Sequence, residues 1–364
     1  MNDRAILITQ CLQNDFVKPL GRYDSLPNQL HIGFEESRRL MGENPMEGPV
    51  ALTMQWAYQQ SDEMLSIIHI RDWHDPADTF QLEHFRQFGD HCVAGSTGAE
   101  FAFTPTDPDR AVFVIDSLGL NDFIGTDLAG ILEQFPGQKK RVGLMGVWTE
   151  AKITFLAYDI RTRFPGIDLA VCSALTASSS RAHHFIALEQ LQRLLGVQIF
   201  SSVGEFTQFL TGSVTDIPLP TPRHADLPKI EMDGENILSE TDHELVRYLF
   251  RDCQTVNLKA LSGGFSGNLV LSSRSEDIFG YQQVPHVIKL GAQQLIGQER
   301  TAFEQIENIL GNSAPRITEF ADLRGRGGLK YRYAAMGNGA STTFQKAYAK
   351  GAALEEIERY LRIV

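Results

Sequence analysis

The sequence predicts two units: a doubly wound α/β domain built on a parallel sheet, then a smaller α+β unit. Three observations carry this. Short apolar runs alternate with helical apolar patterns through the first half. A proline-rich stretch at 213–229 interrupts all periodicity. Beyond it the pattern changes to strand, glycine turn, strand, followed by one long helical stretch. Strands separated by helices imply a parallel sheet covered on both faces.

The strand-like runs lie at 5–9, 66–70, 111–115, 141–145, 168–172 and 197–200. Over 151–161, Ile153, Leu156, Ala157 and Ile160 recur at helical spacing, as do Leu188, Leu191 and Leu195 ahead of the last run. Ligands of such sheets sit beyond the carboxyl ends of the strands. Cys11, Asp72, Asp116 and Val147 each follow a strand-like run, so the pattern gathers them at one edge. In 213–229, Pro218, Pro220, Pro222 and Pro228 favour stiff extended backbone, which reads as an interdomain linker. The domains expected are therefore 1–212 and 230–364. In the second, 244–250 reads as a short helix, 255–261, 268–272 and 285–290 as strands, and 293–310 as a helix with Ile296, Phe303, Ile306 and Leu310 on one stripe. Strands at 317–320 and 330–336, a hinge at 337–341 and a helix at 352–363 complete the reading.

The 364 residues are long enough for two cores. A net charge of -12 argues against a nucleic-acid partner, which selects a basic face. No apolar stretch reaches the ~20 residues that span a bilayer, and the Met-Asn-Asp-Arg start lacks the basic-plus-apolar run of a signal peptide. The four cysteines, Cys11, Cys92, Cys172 and Cys253, are far apart with no CxxC pair, which fits reduced thiols in a cytoplasm.

Four motifs stand out in order: Ala5-Ile-Leu-Ile-Thr-Gln-Cys11-Leu-Gln-Asn-Asp-Phe16, Arg71-Asp-Trp-His74, His91-Cys-Val-Ala-Gly-Ser-Thr-Gly-Ala-Glu100 and Gly146-Val-Trp-Thr-Glu-Ala-Lys152. In order and spacing this frame resembles the isochorismatase-like cysteine hydrolases, the group that includes nicotinamidases. The resemblance implies an Asp where Cys11 stands, a nucleophilic Cys where Lys152 stands, and a Lys at Asp116 or Ser117. With the nucleophile position occupied by Lys152 behind Thr149 as the expected N-cap, ordinary hydrolysis is abandoned. Two readings follow. The domain is a degenerate hydrolase kept as a ligand-binding or assembly platform, with a small-molecule ligand and a homo-oligomeric state. Or Cys11, Asp116 and Lys152 form a permuted site in which the ammonium lowers the thiol pKa and Cys11 attacks a small amide or carbonyl substrate. The resemblance also places Asp72, His74 and His91 at metal-ligand positions, with a third His absent from its place and His84 too far along to align. Structural hydrogen bonding is the role expected of these three residues. His183 and His184, adjacent and so on different helix faces, are expected at a surface or subunit contact.

In the second half, Leu261-Ser-Gly-Gly-Phe-Ser-Gly-Asn-Leu-Val270, Val287-Ile-Lys289 and Glu299 on the next helix resemble the N-terminal lobe of protein-kinase-like or aminoglycoside-phosphotransferase-like folds. The resemblance implies that Gly263, Gly264 and Gly267 close over the phosphates of ATP and that Lys289, paired by Glu299, reaches them. No His-x-Asp catalytic loop and no second magnesium-binding Asp follow before Val364. Either the chain is a fragment of a larger phosphotransferase, or the lobe is a docking or sensing module.

Overall fold

The computed structural model describes residues 4–135, 140–213, 217, 219, 226–235, 237–261, 267–310, 316–332 and 348–362. The first half holds one parallel sheet in the order β3-β2-β1-β4-β5-β6. Its strands are β1 (Ala5–Gln10), β2 (Leu65–Asp72), β3 (Val112–Ser117), β4 (Lys140–Val147), β5 (Ile167–Ala177) and β6 (Gln198–Phe200). All six residues of β1 are buried, which is why it reads as an unbroken apolar run. Alternate side chains serve opposite faces. Ala5 and Leu7 join a core with α2 (Gly33–Met41), α3 (Pro49–Tyr58) and α8 (Val203–Thr211), through Leu40, Trp56 and Phe206. Ile6 and Ile8 join the other, with α5 (Leu128–Gln134), α6 (Thr154–Arg163) and α7 (Arg181–Leu195), through Ile131, Leu156 and Leu191. Ser180 and Ser202 accept N-cap hydrogen bonds at α7 and α8, and Gly196 and Gly212 end those helices in the left-handed region.

Connections reverse direction between β1 and β4, so the carboxyl ends of these neighbours flank the switch point of the sheet. At that point the backbones press together. A Cβ on Gly146 (φ 126°) would lie 2.0 Å from the Gln10 carbonyl oxygen, so the end of β4 admits only glycine.

The second half holds a separate mixed sheet in the order β11-β12-β10-β9-β8-β7. It comprises β7 (Lys229–Met232), β8 (Cys253–Ala260), β9 (Leu269–Asp277), β10 (His286–Ala292), β11 (Ile317–Leu323) and β12 (Arg326–Arg332), with only the β7–β8 pair parallel. The helix α9 (Glu240–Leu249) covers one face with Leu245, Val246 and Leu249 against Ile288 and Leu290. On the other face α10 (Gln293–Leu310) sets Ile296 and Phe303 against Leu329 and Tyr331.

Several boundaries differ from the sequence reading. The helix expected at 244–250 begins at Glu240, because Ser239 caps it. The last strand begins at Arg326, not Lys330. Gly327 and Gly328 lie inside this strand, where a neighbour crowds the Cβ position: Ile296 at 2.9 Å for Gly327, and Leu249 and Leu290 at 3.1 Å for Gly328. The helical stripe of α10 includes Ile296 and Phe303, but Ile306 is exposed. From the proline-rich stretch, Ile217 is buried in the first core and Leu219 packs on the second. Its last residue, Lys229, opens β7, a strand that periodicity did not reveal. Gly263, Gly264 and the hinge at 337–341 lie outside the described residues. Among the described residues no helix is long and apolar enough to cross a membrane.

Candidate functional site

Cys11 leaves β1 in the left-handed region (φ 51°) and is fully buried. Its thiol donates to Asp72 Oδ1 at 3.4 Å. The Gln13 side chain ties this loop to the end of β2, accepting from Asp72 N at 2.8 Å and donating to Asp72 O at 2.6 Å. Lys152 lies in a π turn, Thr149–Ile153, that leads into α6. Its ammonium donates to Asp122 Oδ1 (2.6 Å), Gly119 O (2.6 Å) and Ser117 Oγ (3.1 Å), and stands 3.0 Å from Asp72 Oδ1. Lys152 is 1% exposed, Asp122 1% and Asp72 5%, so the ammonium meets two carboxylates and not water.

The structure corrects three expectations here. Asp116 does not reach the site. Strand side chains alternate, and on β3 Ser117 faces Lys152 while Asp116 points out to pair with Arg71 at 2.6 Å. Thr149 does not cap the helix; its hydroxyl donates to Ala177 O (3.1 Å) and lies 2.9 Å from His184 Nδ1. Nor is the Cys11 thiol activated. Burial raises its pKa well above the ordinary value and Asp72 raises it further, while Lys152 offsets only part. Asp122 is the member of the cluster that sequence reading missed. It sits one turn of loop past β3, and only the fold shows that it comes back over Lys152.

Burial by itself would raise Asp72, but the Lys152 ammonium outweighs it and holds the carboxyl below the usual range. Burial by itself would lower Lys152, but Asp122 and Asp72 raise it above the ordinary lysine value. Burial pushes Asp122 up, against the pull of Lys152.

Beside this cluster, nitrogen atoms of His74, His84 and His91 lie within 4.8 Å of one another. His74 Nδ1 is 2.8 Å from Gln81 Oε1, and His91 Nδ1 is 2.8 Å from Gly89 O. Carbonyl oxygens accept, so both Nδ1 atoms carry the proton and both Nε2 atoms present lone pairs. His74 Nε2 is buried with no hydrogen-bond partner, and His84 Nε2 lies 3.2 Å from His91 Nε2. Three converging imidazoles, two of them anchored through their far nitrogens, fit a zinc-type cation, which would act there as a Lewis acid. The expected trio Asp72, His74 and His91 is thus revised. Lys152 engages Asp72, and His84 on α4 (Leu82–Phe88) supplies the third ring, because the loop at 75–81 folds back and cancels its distance in sequence. His184 is buried within the domain and His183 is exposed.

In the second sheet, Lys289 on β10 forms an ion pair with Glu299 on α10. Tyr331 Oη donates to Glu299 Oε1 at 2.8 Å. Lys289 points away from Ile288 and Leu290, which enter the α9 core. Gly267 is in the left-handed region (φ 68°) beside the segment that carries Gly263 and Gly264.

The model of the isochorismatase domain matches residues 38–203, and that of ternary complex associated domain 9 matches residues 253–363. Among solved structures, the chain is similar to the nicotinamidase/pyrazinamidase of Bacillus subtilis, at 22% identity and a TM-score of 0.41 over 54% of this chain and 98% of that one. The pyrazinamidase/nicotinamidase of Streptococcus mutans gives 27% identity and a TM-score of 0.43, over 54% and 99%. The pyrazinamidase of Pyrococcus horikoshii in complex with zinc gives 24% and 0.40, over 54% and 98%. No curated protein matches. The N-terminal part of the chain is an isochorismatase-like domain.

Three outcomes are expected from this geometry. Lys152→Met leaves Asp72 and Asp122 buried without their cation and costs about 3–5 kcal/mol in urea unfolding. Because the Asp72 pKa is depressed in the folded state, its stabilisation is present above the unfolded value of about 3.9 and lost as pH falls from there; Asp72→Asn flattens that acid limb. Zinc added to metal-free protein binds with measurable heat in isothermal titration calorimetry, and His84→Ala weakens it at least tenfold, whereas His183→Ala leaves it unchanged.

Proposed function

We propose that the N-terminal isochorismatase-like domain binds a small ligand and serves as an assembly platform without hydrolysing it. The observation that carries this is Lys152. The position that the family resemblance gives to a nucleophile holds an ammonium fixed between two buried carboxylates. Nucleophilic catalysis there needs a thiolate with access to substrate. Cys11, the cysteine in contact with this cluster, is fully buried and its thiol is held protonated. A permuted hydrolase draws no support from Asp116, which pairs with Arg71. The ternary complex associated domain matched at 253–363 supports an assembly role, and a homo-oligomer is part of this proposal.

A second reading concerns the C-terminal part, as a kinase-like lobe that binds a nucleotide. Its support is a long helix placed between the third and fourth antiparallel strands and a Lys on the third strand paired to a Glu on that helix. Such a pair holds a lysine ready for the phosphates of ATP with magnesium. With the glycines of the 263–267 sequence motif, this part would contribute nucleotide binding and leave transfer chemistry to groups elsewhere.

Wild-type protein is expected to turn over no member of a panel of primary amides, pyrazinamide and nicotinamide among them, and no vinyl ether. Hydrolysis that Cys11→Ala abolishes would overturn the platform reading. Cys11 is expected to resist iodoacetamide at pH 8 until the protein unfolds, by peptide mass spectrometry. For the second reading, magnesium-ATP is expected to bind, and Lys289→Ala to weaken it by about tenfold or more, since a charge-assisted contact is worth ~1.5–3 kcal/mol. Equal affinity in wild type and variant would remove that reading.

A further inference from the structure

Helix α10 has a second buried face, and it is charged. Ile296 and Phe303 lie on its own sheet. Gly297, Arg300 and Glu304 lie instead against the N-terminal domain. A Cβ on Gly297 would meet the backbone of Ser201 at 3.0 Å, so the helix and that loop are in close contact. Arg300 Nη2 donates to Ser201 O at 2.6 Å, and its guanidinium covers the Phe320 ring at 4.3 Å. Glu304 accepts from Arg39 at 2.9 Å and from Arg181 at 3.0 Å. Arg181 in turn donates to Glu36 at 2.7 Å, and Arg39 reaches Glu307 at 3.1 Å. On β11, Asp322 accepts from Ser202 Oγ (3.1 Å) and Val203 N (3.2 Å), so it joins Ser202 at the N-terminus of α8 from the opposite half of the molecule.

Glu36, Arg181, Arg300 and Glu304 are each 5% exposed or less. Charges that deep are tolerated only in paired geometry, and removing one strands its partners. An interface held by apolar contact can slide. One held by guanidinium forks on fixed carboxylates has one register. Helix α10 also carries Glu299, the partner of Lys289, next to Arg300 and little more than one turn before Glu304.

We infer that the N-terminal domain clamps α10 through Arg39 and Arg181 on Glu304 and through Ser201 on Arg300, and that this clamp sets the Lys289–Glu299 pair. The two halves then respond as one unit. The route reaches the Lys152 cluster as well: Thr149 in the π turn meets His184, one turn along α7 from Arg181. Its consequence for a nucleotide rests on the second reading of function; the clamp itself does not.

The test is hydrogen exchange by mass spectrometry on the full chain, combined with the acetylation rate of Lys289, with no nucleotide present. In Glu304→Gln the amides of 298–307 are expected to exchange about tenfold faster or more, and Lys289 to acetylate faster, while β1 and β4 keep their protection. Arg39→Lys, which keeps the charge and loses the fork, gives a smaller change in the same direction and serves if Glu304→Gln does not fold. Unchanged exchange in 298–307 in both variants would overturn the clamp. Faster exchange there with an unchanged Lys289 rate would overturn its hold on the ion pair. Because the readout contains no ATP, loss of the nucleotide reading by Lys289→Ala leaves these outcomes intact.

Discussion

The N-terminal domain is organised around one ammonium. Lys152 stands at the switch point of the parallel sheet, where β1 and β4 diverge, and takes acceptors from the loops after β2 and β3. Asp72 comes from the end of β2, and Ser117, Gly119 and Asp122 from the end of β3 and the loop after it, so these two connections are joined to the turn after β4 through a single cation. A lysine at the start of a helix opposes the helix dipole by a few tenths to ~1 kcal/mol. Here that term is minor beside the desolvation of the charge, and only the two carboxylates can offset it. The same residue decides the chemistry. The donors of this ammonium are taken up by Asp72, Asp122, Ser117 and Gly119, and it holds Asp72 as a carboxylate that accepts from the Cys11 thiol.

Much of the fold was legible because burial on both faces writes itself into composition. β1 and β4 are apolar runs, and helical stripes such as Leu156 with Ile160 give the covering layers. Sheet order follows less directly, yet the alternation alone placed Cys11, Asp72 and Val147 at one edge. The candidate site was legible as a frame and not as a set of contacts. Asp116 and Ser117 are adjacent, and one step of the pleat separates the residue that faces Lys152 from the one that faces solvent; without the strand register, the sequence does not decide between them. Asp122 and His84 sit on irregular connections, and no periodicity reports where such a loop turns back. The thiol of Cys11 illustrates a different limit. Proximity to Lys152 was read as lowering its pKa, but the outcome turns on burial and on the two carboxylates that already consume the ammonium.

The charged face of α10 was invisible for a related reason. Arg300, Glu304 and Glu307 look like the solvated side of an amphipathic helix, because sequence pattern equates charge with water. Glu304 is buried and Glu307 half-buried because partners of opposite sign, Arg39 and Arg181, arrive from the N-terminal domain, and Arg300 is buried against the Ser201 carbonyl and Glu304. Only the tertiary structure supplies those partners. The glycines at 204 and 297 carry the matching signal, since each sits where the other half comes within contact distance of a would-be Cβ.

Both buried ionic clusters obey one rule, and it bears on what the molecule is for. Replacing a buried ion network by apolar side chains is often neutral or stabilising, so such networks add little stability of their own. What they enforce is geometry, because each carboxylate accepts only in its own directions and each guanidinium donates in a rigid fork. At Lys152 the geometry closes the site in which a hydrolase would keep its nucleophile. Between the halves it fixes the helix that carries Glu299 to a surface of the N-terminal domain. On the proposed platform function, two ionic clusters that each lock a local geometry suit a chain that presents one arrangement of its two halves to what it binds.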